Sequence, residues 1–205
     1  MEYSDQLVEK RRILQLETLY DLALALHAHR PEQELVDELL QKVCAVLDPA
    51  AAVAATRDAY GGARATSSVG WLDGPPTGGA LLSDPVWREL LTSGQSLTRH
   101  DGELAARRCR HMVATPLTSG GVILGFLAVL DKEARGGDSA TFTEEDRRFL
   151  ESVASLAGVA LASARQVEDL SIERDRLEEE NKLFKDRLAH EVAGERIVAH
   201  AAPIR

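Results

Sequence analysis

The chain has little that would commit it to a disulfide scaffold, a zinc module or a membrane. Its 205 residues include two cysteines, Cys44 and Cys109, far apart in sequence. That is too few for a disulfide framework or a cysteine-rich metal site, and a reducing cytoplasm is the expected setting. No apolar run is long enough to span a bilayer, and no signal peptide is recognisable, so a soluble, non-secreted segment is expected. A Gly-x-x-x-x-Gly-Lys-Ser/Thr motif is absent, which removes phosphate-loop chemistry. There is no internal repeat. Positive charge is scarce: 24 Lys and Arg against 33 Asp and Glu leave a net charge of −9. A field of that sign argues against a direct grip on nucleic acid.

What is present is organised around one long segment. From Thr143 to about His190 no proline interrupts the chain, and the pattern predicts one helix of about 48 residues, on the order of 70 Å. Thr143 is the expected N-cap and Asp146 its capping-box acid, with Glu144 and Glu145 on the positive end of the helix dipole. The apolar period is seven. Val153, Ala160, Val167, Arg174, Asn181 and Leu188 form one seam; Phe149, Leu156, Ser163, Leu170, Leu177 and Phe184 form the other. They alternate as a and d positions of heptads. Up to Ala164 the helix is apolar on more than one face, with Leu150, Ala154, Ala157, Val159 and Leu161 added to the seam, which predicts burial in a globular body. From Arg165 on, only the stripe stays apolar, as in a solvated coiled coil. Asn181 at an a position favours a parallel two-stranded pairing, where it meets its own copy. The expected dimer contacts are Val167, Leu170, Leu177, Asn181, Phe184 and Leu188.

Ahead of this segment lie two more helices. Ser4 to His29 carries a broad apolar face of Leu7, Leu14, Leu16, Leu19, Tyr20, Ala23 and Leu26, and Arg30-Pro31 ends it. Pro31 to Leu47 follows, with Leu35, Leu39, Leu40, Val43 and Val46 inward. His27 and His29, two apart, do not share a helix face and read as exposed. The period then changes to that of strands: Ala51–Arg57, Ala63–Trp71 and Gln95–Arg99, then His111–Leu117 and Val122–Lys132 as a hairpin around Ser119-Gly120-Gly121. Val122–Lys132 is nearly continuous in apolar residues and should be a central strand covered on both faces. Asp73 to Gly79 reads as loop, Asp84-Pro85 starts a short helix to Thr92, and Arg135–Asp138 reads as a mobile loop.

This order, together with Ala114-Thr115-Pro116-Leu117, Gly125-Phe126-Leu127-Ala128-Val129, Phe142-Thr143-Glu144-Glu145-Asp146 and Ala154 to Leu161, resembles the GAF sensory domain over about Leu16 to Arg165. The resemblance implies an α+β fold: an antiparallel sheet with the long N- and C-terminal helices on one face and a small-molecule pocket under loops on the other. The C-terminal helix would extend as a coiled coil. The implied organisation is an N-terminal dimerisation helix over 1–30, the sensory domain over 31–165, a coiled-coil linker over 166–192 and the start of a downstream domain over 193–205. Gly194 to Arg205 resembles the opening segment of the AAA+ ATPase domain in sigma-54-dependent activators, with Ala199 and Ala201 where Gly and Ser are usual. The rival reading uses Ala189-His190-Glu191-Val192, which resembles the phosphoacceptor box of sensor histidine kinases. A third is a dimerisation module whose pocket is collapsed by the Ala50–Ala55 strand and Trp71.

Candidate site residues come from a local reversal of charge. Arg99, His100, Arg107, Arg108, Arg110 and His111 cluster against Asp101 and Glu103 in an otherwise acidic chain. Arginine forks bind carboxylate or phosphate bidentately, so the cluster reads either as a solvated loop paired with the acidic coil or as the site of a small anionic effector. Trp71, Trp87, Arg99, His100, Arg107, Arg110, His111 and Thr115 are the residues expected at the ligand side. Cyclic-nucleotide-binding relatives carry an Asn-Lys…Phe…Asp-Glu signature; Asp131, Lys132, Phe142, Asp146 and Arg147 match it at three of five positions. Cys109-x-His111 is a weak metal pattern. No cofactor is evident, and no nucleophile–base or paired-carboxylate arrangement stands out, so a non-enzymatic regulatory role is expected.

Overall fold

The structure is a computed structural model that describes residues 13, 15–21, 30–71, 74–133 and 141–200; the side chains of 186 and 188–200 lie outside the description, and with them Leu188 of the stripe and His190. The Arg135–Asp138 segment and much of the first expected helix are also outside it. The chain divides into two compact units, Met1–Ala164 and Arg165–Arg205.

In the first unit the order is α1 (Glu32–Leu47), β1 (Pro49–Arg57), β2 (Ala63–Val69), α2 (Gly78–Ser83), α3 (Pro85–Ser93), β3 (Leu97–Leu104), β4 (Arg107–Ser119), β5 (Val122–Lys132) and the start of α4 (Glu144–His200). The five strands form one sheet in the order β2-β1-β5-β4-β3, and every pairing is antiparallel. β5 sits in the middle, as its unbroken apolar run demands. Leu124, Leu127 and Val129 point to one core; Phe126, Ala128 and Leu130 point to the other.

The first core lies between the sheet and helices α1 and α4. Leu35, Val36, Leu39, Leu40, Val43, Val46 and Leu47 recur at helical spacing and are buried on it, opposite Phe149, Leu150, Val153, Ala154, Ala157 and Leu161 of α4. Two glycines permit close approaches, Gly158 of α4 to β4 and Gly125 of β5 to β1. A Cβ on Gly158 would lie 2.0 Å from the Thr118 carbonyl oxygen, and one on Gly125 would lie 2.2 Å from that of Ala55. Val159 departs from expectation: it is 47% exposed, because only one face of α4 meets the sheet. The short N-terminal helical stretch also differs. Gln15 and Thr18 are buried while Ile13, Leu16 and Tyr20 are exposed, so part of its apolar face points away from this core.

Local chemistry fixes the edges. Glu32, the first residue of α1, accepts from Thr56 Oγ1 at 2.5 Å and pairs with Arg64 Nε at 2.6 Å, tying the helix to β1 and β2. The Gln33 amide donates to the Thr66 carbonyl at 2.9 Å and accepts from its N–H at 3.2 Å. It thereby occupies backbone groups that edge strand β2 would otherwise present to another chain. α2 lies partly within the stretch expected as loop; Thr77 Oγ1 caps it by accepting from Ala80 N at 3.2 Å. Asp84 is the N-cap of α3, with Oδ1 accepting from Val86 N at 2.8 Å.

The second core covers the opposite face. Leu81, Val86, Trp87 and Leu90 from α2 and α3 pack on Ala51, Val53, Ala55, Met112 and Phe126.

Helix α4 is continuous to His200, ten residues past its expected end. Its start is capped as expected: Thr143 Oγ1 accepts from Asp146 N at 3.2 Å and Asp146 Oδ2 accepts from Thr143 N at 2.9 Å. In the second unit, residues 166–185 and 187 are all exposed. Arg174 pairs with Asp175 at 2.7 Å and approaches Glu178 at 3.7 Å; Arg176 reaches Glu180 at 3.1 Å.

Candidate functional site

The basic cluster is a hairpin and not a loop. β3 and β4 pair from Leu97↔Ala114 to Leu104↔Arg107. Ala105 and Ala106 turn the chain with φ of 48° and 65°, the left-handed pair that a type I′ hairpin turn requires. Asp84 Oδ2 accepts from Ala105 N at 2.9 Å and holds the tip. The alternation of β4 breaks at Arg110–His111. Both backbone N–H groups donate to Asp131 Oδ1, at 2.8 and 3.1 Å, and Asp131 itself is left-handed with φ 47°. Cys109 and Met112, three apart, consequently face the same core.

This geometry distributes the expected site residues among separate places. Arg99 pairs with Glu89 of α3, and its charge is answered there. Trp87 is buried against Phe126, ring centroids 5.5 Å apart, with the Arg57 guanidinium 5.9 Å from its ring. Arg107 lies over Trp71 at 5.5 Å and donates from Nη1 to the Gly70 carbonyl. Trp71 Nε1 and Arg107 Nε are buried and, among the described residues, have no hydrogen-bond partner. Such groups cost about 1–3 kcal/mol each when left unmade. These two neighbouring donors are the feature of the hairpin best suited to an acceptor oxygen.

Arg110 is exposed and lines an open concavity of about 550 Å³ with Arg108, Cys109, Asp101, Glu103 and Asp131. Three carboxylates against two guanidinium groups make this hollow slightly acidic. Thr115 faces the other side of the sheet, where its Oγ1 accepts from Ser96 Oγ at 2.9 Å beside a polar cleft reached by Arg147 and Glu151.

His111 is buried. Its Nδ1 accepts from Phe142 N at 3.1 Å, its ring stacks on Phe142 at 5.5 Å, and it lies 4.6 Å from the His100 ring, its cross-strand partner. Burial, and then the neighbouring His100, hold its pKa below the ordinary imidazole value, against the opposing pull of Asp131 and Asp146. Next to it Lys132 Nζ pairs with Asp146 Oδ2 at 2.9 Å, both side chains 2% exposed. Lys132, Phe142 and Asp146, the matches to the nucleotide-binding signature, therefore build the root of α4. The role of Asp131, whose one carboxylate oxygen takes the N–H groups of both Arg110 and His111, was invisible in sequence, since it joins residues 20 and 21 apart.

Both thiols are held above their ordinary range, which disfavours the thiolate. Burial, then Asp48, pushes the Cys44 thiol up to about 11; burial, then Asp131, raises that of Cys109. Among the described residues no group of three His, Cys, Asp or Glu side chains could hold a metal ion. No described helix is long and apolar enough to cross a membrane.

A five-stranded antiparallel sheet with long helices on one face, short helices on the other and a hairpin of unused donors at the edge defines an α+β sensory module. The sequence matches the GAF domain family over residues 29–162, and the chain belongs to that family of signal-sensing regulatory domains. Solved structures agree on the fold. The GAF domain of Acinetobacter phosphoenolpyruvate-protein phosphotransferase is similar at TM-score 0.57 and 17% identity, over 75% of this chain and 95% of that one. The GAF domain of a candidate sensor histidine kinase from Pseudomonas syringae pv. tomato gives 0.54 and 16%, over 84% and 98%. A GAF domain/HD domain protein from Geobacter sulfurreducens gives 0.51 and 14%, over 69% and 98%. At such identities the likeness is one of fold alone. No curated protein matches the sequence significantly.

Proposed function

We propose that this chain is the regulatory part of a bacterial sigma-54-dependent transcription activator, working in the cytoplasm as a homodimer. A small anionic effector binds the sensory domain, and paired terminal helices carry the change to a downstream AAA+ ATPase; the fragment itself touches neither nucleic acid nor membrane. The observation that carries the dimeric stem is the stripe on α4. Leu170 is 71% exposed, Phe184 65%, Leu177 55% and Val167 37%, on a helix otherwise mostly charged, with Ile172 and Leu183 (61% each) exposed off the stripe. Fully burying one such side chain contributes about 1.5–3 kcal/mol. A second copy of the same stripe also gives Asn181 an amide partner, and the acids beside Arg174 let its guanidinium reach out of the seam. Ile13, Leu16 and Tyr20 extend the same role to the N-terminal helix. The ATPase assignment rests on Gly194 to Arg205. The anionic effector is supported by the unpartnered donors of Trp71 and Arg107.

Packing of Leu81, Val86, Trp87 and Leu90 on the sheet favours a second reading, a dimerisation module without effector. A thermal-shift screen against small carboxylates and phosphate esters separates the two. An effector raises the melting temperature by mass action, and Arg107→Ala abolishes the rise while Arg110→Ala, further along the same strand and lining the open concavity, preserves it. No shift with any compound leaves the effector-free reading. A histidine-kinase output predicts instead ATP-dependent labelling of His190 in the full-length protein.

A further inference from the structure

We propose that His111 is a proton-controlled latch on the head of α4: neutral, it anchors Phe142 one residue before the N-cap, and protonated, it lets that anchor go. The bond from Phe142 N to Nδ1, 3.1 Å long, requires a lone pair on Nδ1. Protonation replaces the lone pair with a second N–H that faces the first. The released residue matters because Phe142 is itself 7% exposed in the main core and leads directly into the Thr143–Asp146 capping box.

The charged groups around the ring, among the described residues, come from three elements. His100 on β3 opposes a positive charge, 4.6 Å away. Asp131 on β5 favours one, but its Oδ1 already accepts from Arg110 N and His111 N. Asp146 on α4 also favours one, but it is engaged by Lys132 at 2.9 Å. Burial and His100 prevail, and the imidazole titrates below its ordinary value of 6.5. The sign follows: a depressed histidine pKa gives stability that is complete above about pH 6.5 and is lost as pH falls through the folded value. The latch operates whether or not an effector binds.

The test uses the whole chain, isotope-labelled, followed by nuclear magnetic resonance from pH 8 to pH 5. The His111 ring should titrate below 6.5, and the Phe142 amide, corrected for intrinsic exchange, should lose protection about tenfold for each unit of that depression. His111→Asn supplies an amide oxygen in place of Nδ1 and no titration; it should keep Phe142 protected at both ends of the range. Titration of His111 at or above 6.5, or unchanged protection of Phe142 down to pH 5, overturns the proposal. So does a His111→Asn protein that retains the pH dependence. Should that variant fail to fold, the wild-type titration decides alone.

Discussion

Lys132 and Asp146 show how much can rest on one pair of atoms. Asp146 Oδ2 receives both the Lys132 ammonium and the Thr143 N–H, so a single carboxylate joins β5 to the start of α4. Replacing Lys132 by Met removes one partner and leaves the other charge buried. The expected loss is about 3–5 kcal/mol, read as a lower urea midpoint. An unchanged midpoint would mean that water reaches Asp146. Gly158 is the steric counterpart. A methyl group there meets the Thr118 carbonyl at 2.0 Å, on backbone that has little room to yield. Gly158→Ala should cost about 1–3 kcal/mol by overpacking, although alanine is the better helix former.

At the level of elements, the β3–β4 hairpin turns through two alanines in left-handed conformation. L-residues other than glycine and asparagine hold that region at a cost of about 1–2 kcal/mol. The double change Ala105→Asn with Ala106→Gly supplies the preferred turn pair. It should raise the thermal midpoint without altering the far-ultraviolet spectrum; a lowered midpoint would show that the alanine methyls pack usefully. Helix α4 allows the opposite experiment. Leu170→Asp with Leu177→Asp puts charge on two exposed stripe positions that make no contribution to the sheet's cores. Sedimentation should then report a monomer, with tryptophan emission from Trp71 and Trp87 still that of a folded domain. A dimer that survives both changes would place the interface elsewhere.

For the whole molecule, the two compact units predict a separation of properties. The first holds both cores and should unfold cooperatively. The second shows no buried side chain among those described, and on the proposed dimer its helix would depend on a partner to persist. Helicity of the intact chain should therefore fall in two stages on dilution and heating, the earlier one concentration-dependent, as association linkage requires. A single concentration-independent transition would mean that the stem is stable as an isolated helix, which charge pairs of a few tenths of a kcal/mol each do not supply.

The sequence by itself determined the elements whose signals are periodic or chemically local. The central strand β5, the Thr143–Asp146 cap, the Asp84-Pro85 start of α3 and the heptad stripe of α4 were all legible, because hydrophobic spacing and capping act over a few residues. So was the family. Tertiary structure alone decided where the basic residues went. Arg99, Arg107, Arg110 and His111 are close in sequence, yet an unmarked Ala-Ala turn folds them into two strands and the Asp131 carboxylate interrupts the in–out alternation at Arg110–His111. Ion pairing with Glu89, stacking on Trp71 and burial under Phe142 then assign each its role. Those contacts join residues ten to forty apart, and their energies depend on desolvation, which no local pattern encodes.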